Sequence, residues 1–374
     1  MSNLKSMGKP SLILAALAAD ALPGYKFVRV ENLSQPGGEI AVELLTTEDN
    51  RLVLLKSPKT QAANTELGTE IRSLRILKNV SLPFAVPTFL GETSPKAIRK
   101  ALAFEYVPGD AIDLNRIKID DPIINSLGQA LARIHSIPTS VVSDAGLPEY
   151  QPGESIRERV AEFDRAMDTG RIHPELLERW QNALLNVNLF RYQPTVVHGS
   201  LTSDSVLVDG GEVLGITDWG TLSVDDPAID LSFVYMEAPV EIADAITLAY
   251  EGSIRADKNL KQRATLYSEL SLASYLLQIV DSENEEELEE ATNLLSNLHE
   301  ALKAGLLLSL VPTEFASSIQ EVVTPISQAA SFTAPITIVT ESIEIIDLAQ
   351  VQEPARPEGS KPEEPKPKVE DELF

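Results

Sequence analysis

The sequence has no cysteine and only four histidines among its 374 residues. The absence of cysteine excludes disulfides, thiolate metal sites and cysteine nucleophiles. The histidines are scattered at positions 135, 173, 198 and 299, a spacing that argues against a zinc site. No run of 18 apolar residues occurs, so no transmembrane helix is predicted.

Basic residues are also scarce. The chain has 31 Lys and Arg against 56 Asp and Glu, which gives a net charge of −25. Nucleic acids and anionic membranes would repel such a chain, so neither is expected as a partner. The charge would tolerate a cationic ligand, although it also serves solubility. A hydrophobic content of 43% is typical of a soluble globular protein, and we expect a cytoplasmic location.

A short apolar segment near the N-terminus has two interpretations. Lys5 and Lys9 precede the stretch SLILAALAADAL, which resembles a short signal peptide. However, Asp20 interrupts the apolar stretch, and Pro10 suits the first turn of a helix. We therefore predict a packing helix within residues 1–22.

Residues 23–107 are predicted to form a small lobe built on a sheet. Alternating apolar residues predict strands in FVRVENL, EIAVELL and RLVLLK, the last of which ends at Lys56, and a later strand in ALAFEYV. Between them, NTELGTEIRSLRILKNV is predicted to be a helix, because Leu67, Ile71 and Leu74 are spaced for one apolar face.

Residues 108–310 are predicted to form a larger helical lobe. Amphipathic helices are predicted in INSLGQALARIHSI, IRERVAEFDRAM, PELLERWQNALLNV, PVEIADAITLAYEG, QRATLYSELSLASYLLQIV and EEELEEATNLLSNLHEALKAGLLL. A loop and a hairpin within residues 195–231 interrupt these helices.

The remaining residues, 311–374, form an acidic, proline-rich tail with twelve acidic and four basic residues. Most of it is predicted to be disordered, because such a composition buries too little apolar surface to offset the entropy of ordering. Residues 336–349, ITIVTESIEIIDLA, are β-prone. They are interpreted either as a strand added to a sheet, in this chain or in a protein partner, or as a linker without a role.

The most informative stretch is residues 197–231, VHGSLTSDSVLVDGGEVLGITDWGTLSVDDPAIDL. It resembles the catalytic loop and metal-binding strand of the aminoglycoside and macrolide phosphotransferases. That pattern has His-Gly-Asp, an Asn five residues after the Asp, an Asp-Trp pair after a hairpin, and then Asp-Pro and Asp-Leu. The matching residues here are His198, Gly199, Asp218, Trp219, Asp226, Pro227, Asp230 and Leu231.

The resemblance runs from about Pro23 to Leu310 and implies a bilobal, protein-kinase-like α+β fold, with a small β-rich N-lobe and a larger helical C-lobe. It also implies that Lys56 contacts the phosphates of a bound nucleotide and that Glu70, on the following helix, pairs with this lysine.

The rest of the expected nucleotide site also follows from the resemblance. Backbone groups of Glu105 and Val107 would bind the purine edge, and the turn at Gly37 and Gly38 would cover the phosphates. Asp218 would hold Mg²⁺, with either ATP or GTP as the nucleotide.

The resemblance also implies that three further residues support the catalytic loop. Asp226 and Asp230 would brace the loop through hydrogen bonds. His198 falls at the catalytic-loop histidine of the family, and we interpret it as a brace of the same kind rather than as a free base.

Two serines depart from the family pattern. Ser200 occupies the position of the catalytic Asp, and a neutral hydroxyl cannot act as a general base; loss of such a base costs about 10²–10⁴ in rate. Ser205 replaces the metal-binding Asn with a shorter and weaker ligand. Asp204, in the same loop, is a candidate substitute base or metal ligand.

Three functions therefore remain open. The chain is interpreted first as a nucleotide-binding pseudokinase with impaired catalysis. The second is a slow kinase that phosphorylates a hydroxyl of an antibiotic-like or metabolite small molecule. The third is a ligand-free interaction module, for which the acidic tail would provide a docking segment.

Overall fold

The computed structural model describes residues 9–34, 38–97, 99–280 and 284–311. Gly37 and the segment 336–349 lie outside the described residues, so the predictions made for them stay predictions.

The N-terminal region is built on a five-stranded antiparallel sheet with strand order β1-β2-β3-β5-β4. Its elements are α1 (Lys9–Ala21), β1 (Phe27–Asn32), β2 (Ile40–Thr47), β3 (Leu52–Pro58), α2 (Gln61–Leu77), β4 (Phe89–Glu92) and β5 (Leu102–Glu105). The predicted strands and the helix are confirmed, with one correction. β3 continues two residues past Lys56, because its pairing with β2 extends to Pro58.

The alternation of side chains along β3 decides which way Lys56 points. Successive residues of a strand face opposite sides of the sheet. Val53 and Leu55 lie in a buried cluster with α1. Leu54 packs with the other core cluster, which contains the apolar face of α2. Lys56 shares the side of Leu54, so its side chain is directed toward α2.

The C-terminal region is mainly helical, with small sheets of order β6-β8-β9 and β10-β7. Its elements are β6 (Asp110–Ala111), α3 (Ile123–His135), α4 (Ser140–Ser143), α5 (Pro152–Asp168), α6 (Pro174–Leu184), β7 (Thr195–Val197), β8 (Val206–Asp209), β9 (Glu212–Ile216), β10 (Ser223–Asp225), α7 (Ala228–Glu237), α8 (Val240–Glu251), α9 (Leu260–Ile279) and α10 (Glu285–Lys303). The predicted helices are all present. Sequence analysis missed α7, since this short helix buries a charged residue, Asp230, among its apolar side chains and so shows no clear amphipathic period.

The two regions meet at Gly215 of β9. Gly215 forms a parallel bridge with Ala85, which lies before β4. A Cβ atom at Gly215 would lie 2.2 Å from Cγ1 of Val107, in the segment that follows β5. This position therefore requires glycine, and the close approach fixes the connecting segment against the hairpin. Within the described part, no helix has both the length and the apolarity needed to cross a bilayer.

Leu17→Ala should show that α1 stabilises the sheet. Leu17 is 4% exposed and lies in the cluster with Leu45 and Leu55, so its truncation should lower the free energy of unfolding by about 2–5 kcal/mol. Ile13, on the same helix and 42% exposed, provides the control, and Ile13→Ala should cost about 0.5 kcal/mol or less. Urea unfolding would measure both, and equal losses would contradict the packing described here.

Candidate functional site

Three charged side chains from distant parts of the sequence meet between the two regions. The Nζ atom of Lys56 lies 2.9 Å and 3.1 Å from the two carboxylate oxygens of Glu70, on α2. It lies 2.9 Å from Oδ1 of Asp218, which follows β9 and is 162 residues away in sequence. The structure thus brings together the lysine, the glutamate and the metal-binding aspartate that the resemblance implied.

The charges in this cluster are unequally exposed. Burial opposes the charge of Lys56, but Glu70 and Asp218 outweigh it and raise the pKa of the lysine. Burial raises the pKa of Glu70, although Lys56 partly counteracts the effect. The surrounding protein would also raise the pKa of Asp218, yet the charge of Lys56 prevails and lowers it. Asp218 is therefore ionised at neutral pH, and its side chain remains 55% exposed.

The backbone of Asp218 is in the left-handed region, with φ of +64°. Aspartate tolerates this conformation better than most residues, and such outliers cluster at functional sites. Trp219 is fully buried and donates from Nε1 to the carbonyl of Ile216 at 2.8 Å. The next residue, Gly220, packs closely against α2: a Cβ atom there would lie 2.9 Å from Cγ of Glu66. The turn is therefore held between β9 and α2, and this fixes the direction of the carboxylate.

Asp230 holds the loop that follows β7. Its fully buried carboxylate accepts hydrogen bonds from the backbone N–H groups of His198, at 2.7 Å, and Gly199, at 2.8 Å. His135 Nε2 lies 3.1 Å from the same carboxylate. Burial would raise the pKa of Asp230, but the bond from His135 and the neighbouring histidines keep it below the ordinary value. Gly199 has φ of +93°, and a Cβ atom there would lie 2.6 Å from the carbonyl oxygen of Thr221.

Both ring nitrogens of His198 take part in hydrogen bonds. Its Nε2 lies 2.8 Å from the carbonyl oxygen of Thr217, which can only accept, so Nε2 carries the proton. The backbone N–H of Ser200 donates to Nδ1 at 3.4 Å. Burial lowers the pKa of His198, which favours this neutral form. The geometry suits a residue that positions the loop and leaves neither nitrogen free to accept a substrate proton.

Asp226 is bound by residues that sequence analysis did not identify. Arg263 donates to both of its carboxylate oxygens, at 2.7 Å and 3.0 Å, and the Tyr267 hydroxyl donates at 2.7 Å. Arg263 is fully buried and also donates to Asp257 and to the carbonyl of Leu189. The two partners lie four residues apart on α9 and therefore on one face of the helix; this spacing was the signal available in the sequence.

Ser200 is exposed, and its hydroxyl has a defined direction. Its Oγ lies 2.7 Å from Oγ1 of Thr221, and either atom could donate. Thr221 Oγ1 is also 2.8 Å from the carbonyl of His198, to which it must donate. Because a threonine hydroxyl carries one hydrogen, Ser200 is the donor in the first bond. The Ser200 hydroxyl hydrogen thus points toward Thr221, and the side of Oγ that faces solvent has only the lone pairs of a neutral oxygen. Thr221 is a further residue that sequence analysis missed.

Ser205 and Asp204 lie in the same turn but in different environments. Ser205 is 1% exposed, and its hydroxyl donates to the carbonyl of Thr202 at 2.8 Å and accepts from the N–H of Thr202 at 3.0 Å. The side chain at the position where the resemblance implies a metal ligand therefore closes its own turn. Asp204 is exposed, and its carboxylate makes no hydrogen bond or ion pair with the described residues. Nothing in these contacts brings it to Ser200 or Asp218.

The last residue of β5 and the residues after it differ in how their backbone groups are used. The N–H of Glu105 donates to the carbonyl of Thr88 at 2.8 Å, so only its carbonyl can serve a ligand. Val107 is buried, and its backbone groups form no hydrogen bond with other described residues. In the turn between β1 and β2, the carbonyl of Gly38 accepts from Nζ of Lys59 at 2.5 Å.

Asp218 is the residue that best fits a magnesium ion. Among the residues described, no group of three or more His, Asp or Glu side chains could hold a metal by itself. Mg²⁺ in phosphoryl-transfer sites keeps several waters and takes one or two carboxylates together with the phosphates. Both oxygens of Asp218 have single partners, Lys56 and Thr217, and retain lone pairs. The site thus fits a nucleotide whose metal is held by one protein carboxylate.

Comparison with known families agrees with this geometry. The family described as "Phosphotransferase enzyme family" matches residues 36–261, more than half of the chain. The chain belongs to this family. A search of curated proteins gave no significant match.

Solved structures of the phosphotransferase family share its fold. A macrolide 2'-phosphotransferase type I is 27% identical, with a TM-score of 0.67 over 78% of this chain and 99% of the other. The apoenzyme of macrolide 2'-phosphotransferase MphH from Brachybacterium faecium is 21% identical, with a TM-score of 0.63 over 76% and 97%. A GDP and kanamycin complex of APH(2")-IIia is 18% identical, with a TM-score of 0.64 over 76% and 98%. The bilobal, kinase-like α+β fold expected from the sequence is confirmed.

His198→Gln should weaken the dependence of stability on pH. The folded state lowers the pKa of His198 below its ordinary value of about 6.5, so protonation favours the unfolded chain. The contribution is present above about pH 6.5, the ordinary value, and is lost as the pH falls from there through the lower pKa of the folded state. Glutamine can keep a donor near the Thr217 carbonyl without titrating. Urea unfolding at several pH values should show a smaller loss of stability below pH 6.5 for the variant; identical profiles would contradict the assignment.

Arg263→Met should strongly destabilise the C-terminal region. The substitution leaves the buried carboxylate of Asp226 without its cation, a change that costs about 3–5 kcal/mol in the free energy of unfolding. Arg116, whose side chain is 87% exposed and pairs with Asp113, is the matched control, and Arg116→Met should have little effect. Urea unfolding of both variants would test this prediction. Similar losses in the free energy of unfolding would show that the buried ion pair stabilises the protein no more than the exposed one.

Proposed function

We propose that this phosphotransferase-family chain binds a purine nucleoside triphosphate, ATP or GTP with Mg²⁺, and transfers its terminal phosphoryl group slowly or not at all. The proposal rests on a contrast between the residues that would bind the nucleotide and those that would take part in the transfer. The groups that hold a nucleotide, Lys56, Glu70 and Asp218, meet within hydrogen-bonding distance. The two positions that would serve the acceptor hydroxyl and a second metal contact are Ser200 and Ser205.

Several observations support nucleotide binding. Glu70 fixes the Lys56 ammonium, so little side-chain entropy remains to be lost when phosphates bind. The backbone groups of Val107 and the Glu105 carbonyl lie on the segment that joins the two regions. The solved neighbour APH(2")-IIia was crystallised with GDP and kanamycin. Loss of a carboxylate at position 200 also removes like-charge repulsion near a triphosphate, and this favours binding.

Other contacts support impaired transfer. The hydroxyl of Ser200 donates to Thr221 and cannot take up a proton near neutral pH. Loss of a general base corresponds to about 3–5.5 kcal/mol of activation free energy. Ser205 is buried and closes its own turn. Bound Mg²⁺ would neutralise phosphate charge, and Asp218 would be the carboxylate that holds it.

A slow small-molecule kinase is the second candidate, favoured by the exposed and unpaired carboxylate of Asp204. Its acceptor would be a hydroxyl on an antibiotic-like or metabolite molecule. The third function considered, a ligand-free module, is disfavoured because the Asp218 side chain is 55% exposed and apolar side chains do not enclose it. A protein partner of residues 336–349 remains a separate hypothesis.

Calorimetric titration with ATP and with GTP, with and without Mg²⁺, would test nucleotide binding. We expect saturable binding with a Kd well below about 1 mM. Lys56→Ala should abolish it, while Lys100→Ala, at an exposed lysine near Glu92, should not. No binding of either nucleotide at millimolar concentration would overturn the proposal and favour the ligand-free module.

Nucleotide hydrolysis would test impaired transfer. Ser200→Asp should raise the rate of γ-phosphate release by about 10²–10⁴-fold if the rest of the site is in place. Ser205→Asn must also displace the buried hydroxyl from Thr202, so the single and double variants should be compared. A wild-type turnover of about 1–100 s⁻¹ on any acceptor would contradict the proposal. If a slower activity exists, its loss in Asp204→Ala would identify the substitute base.

A further inference from the structure

The helical region contains a cavity of about 690 Å³ that shares no residue with the Lys56–Glu70–Asp218 cluster. It lies among the segment before β7, the start of α7 and the segment between α8 and α9. Its polar lining includes Arg191, Gln193, Thr195, Tyr250, Arg255 and Lys258.

The lining of this cavity is basic although the whole chain is strongly acidic. Arg191 and Arg255 contribute two positive charges, whereas the net charge of the chain is −25. The one carboxylate in the lining, Asp257, is bound by Arg263 at 2.8 Å through each of its oxygens. Arg191 and Arg255 are exposed and form no ion pair within the described ranges. Their charges are therefore available to an anion.

Further polar residues line the cavity. Thr195, at the start of β7, is one of them, although its Oγ1 is buried and so is not presented to a ligand. Gln193 adds an amide, which can donate as well as accept. Guanidinium groups bind phosphate and carboxylate oxygens through two parallel hydrogen bonds. We propose that this cavity binds a small polyanion, either a phosphate ester or a polycarboxylate.

The cavity wall is connected to the loop at Ser200 by a buried chain of hydrogen bonds. The hydroxyl of Tyr250 lies 2.8 Å from Nδ1 of His135, and Nε2 of His135 lies 3.1 Å from the Asp230 carboxylate. Asp230 in turn accepts from the backbone of His198 and Gly199. A ligand that contacts Tyr250 thus touches the network that positions the loop. We infer that the anion stabilises the loop and alters nucleotide affinity.

Anion binding is tested first without nucleotide, using inorganic pyrophosphate and citrate as probes. Calorimetry should show saturable binding, and Arg191→Ala/Arg255→Ala should weaken it by about 10-fold or more. Arg165→Ala/Arg171→Ala is the control, since it removes the same charge from exposed residues outside the cavity lining. Equal losses in both double variants, or no binding to the wild type, would overturn the proposal. Binding of only one probe would decide between a phosphate and a carboxylate ligand.

The effect on the loop can also be measured without nucleotide. Amide hydrogen exchange across residues 197–201 should slow when the probe saturates the cavity, because the N–H groups of His198 and Gly199 are held by Asp230. Tyr250→Phe keeps the ring but removes the bond to His135, so the probe should still bind without slowing exchange. Protection that persists in Tyr250→Phe, or is absent from the wild type, would overturn the connection.

The inference about nucleotide affinity rests on the proposed function and is tested separately. Nucleotide Kd should change at saturating citrate in the wild type but not in Tyr250→Phe or in Arg191→Ala/Arg255→Ala. Direct competition in the nucleotide cleft would persist in both variants, which would contradict coupling through the cavity. If the wild type binds no nucleotide, the proposed function fails while the calorimetric and exchange results on the cavity still stand.

Discussion

The site depends on one buried carboxylate, Asp230. An ionised group in the interior is costly unless donors surround it, and this aspartate has three: two consecutive backbone N–H groups and the ring of His135. Because those N–H groups belong to the loop that carries Ser200, the need to satisfy Asp230 also sets the course of the loop. In the same loop, Gly199 has a positive φ and packs against Thr221.

The acids that match the family pattern and the serine at position 200, which departs from it, differ in what they do for the fold. Asp226 and Asp230 are fully buried, and loss of either would leave donors or a cation without a partner. The side chain of Ser200 is exposed and its hydroxyl bonds to Thr221, so a substitution there should have little effect on stability. The architecture of the family therefore depends on the buried acids and not on the residue at position 200.

Much of the fold was predictable because it depends on local periodicity. The strands around Lys56 and the helix that carries Glu70 were evident from apolar spacing, and the resemblance assigned their roles. The short helix α7 was missed because its central aspartate is buried, which conceals the helical period. Arg263 was also missed, since its spacing of four residues from Tyr267 indicates a shared helix face but does not show that the face is buried against Asp226.

The sequence by itself determined the family, the two serine replacements and the absence of cysteine chemistry, because these are matters of residue identity and spacing. Only the tertiary structure decided that Lys56 contacts both acids, that the Ser200 proton points toward Thr221 and that Ser205 closes its own turn. Such outcomes depend on which donors and acceptors meet across gaps as long as 162 residues. Burial and competition for hydrogen bonds settle them, and neither is a property of a local stretch of chain.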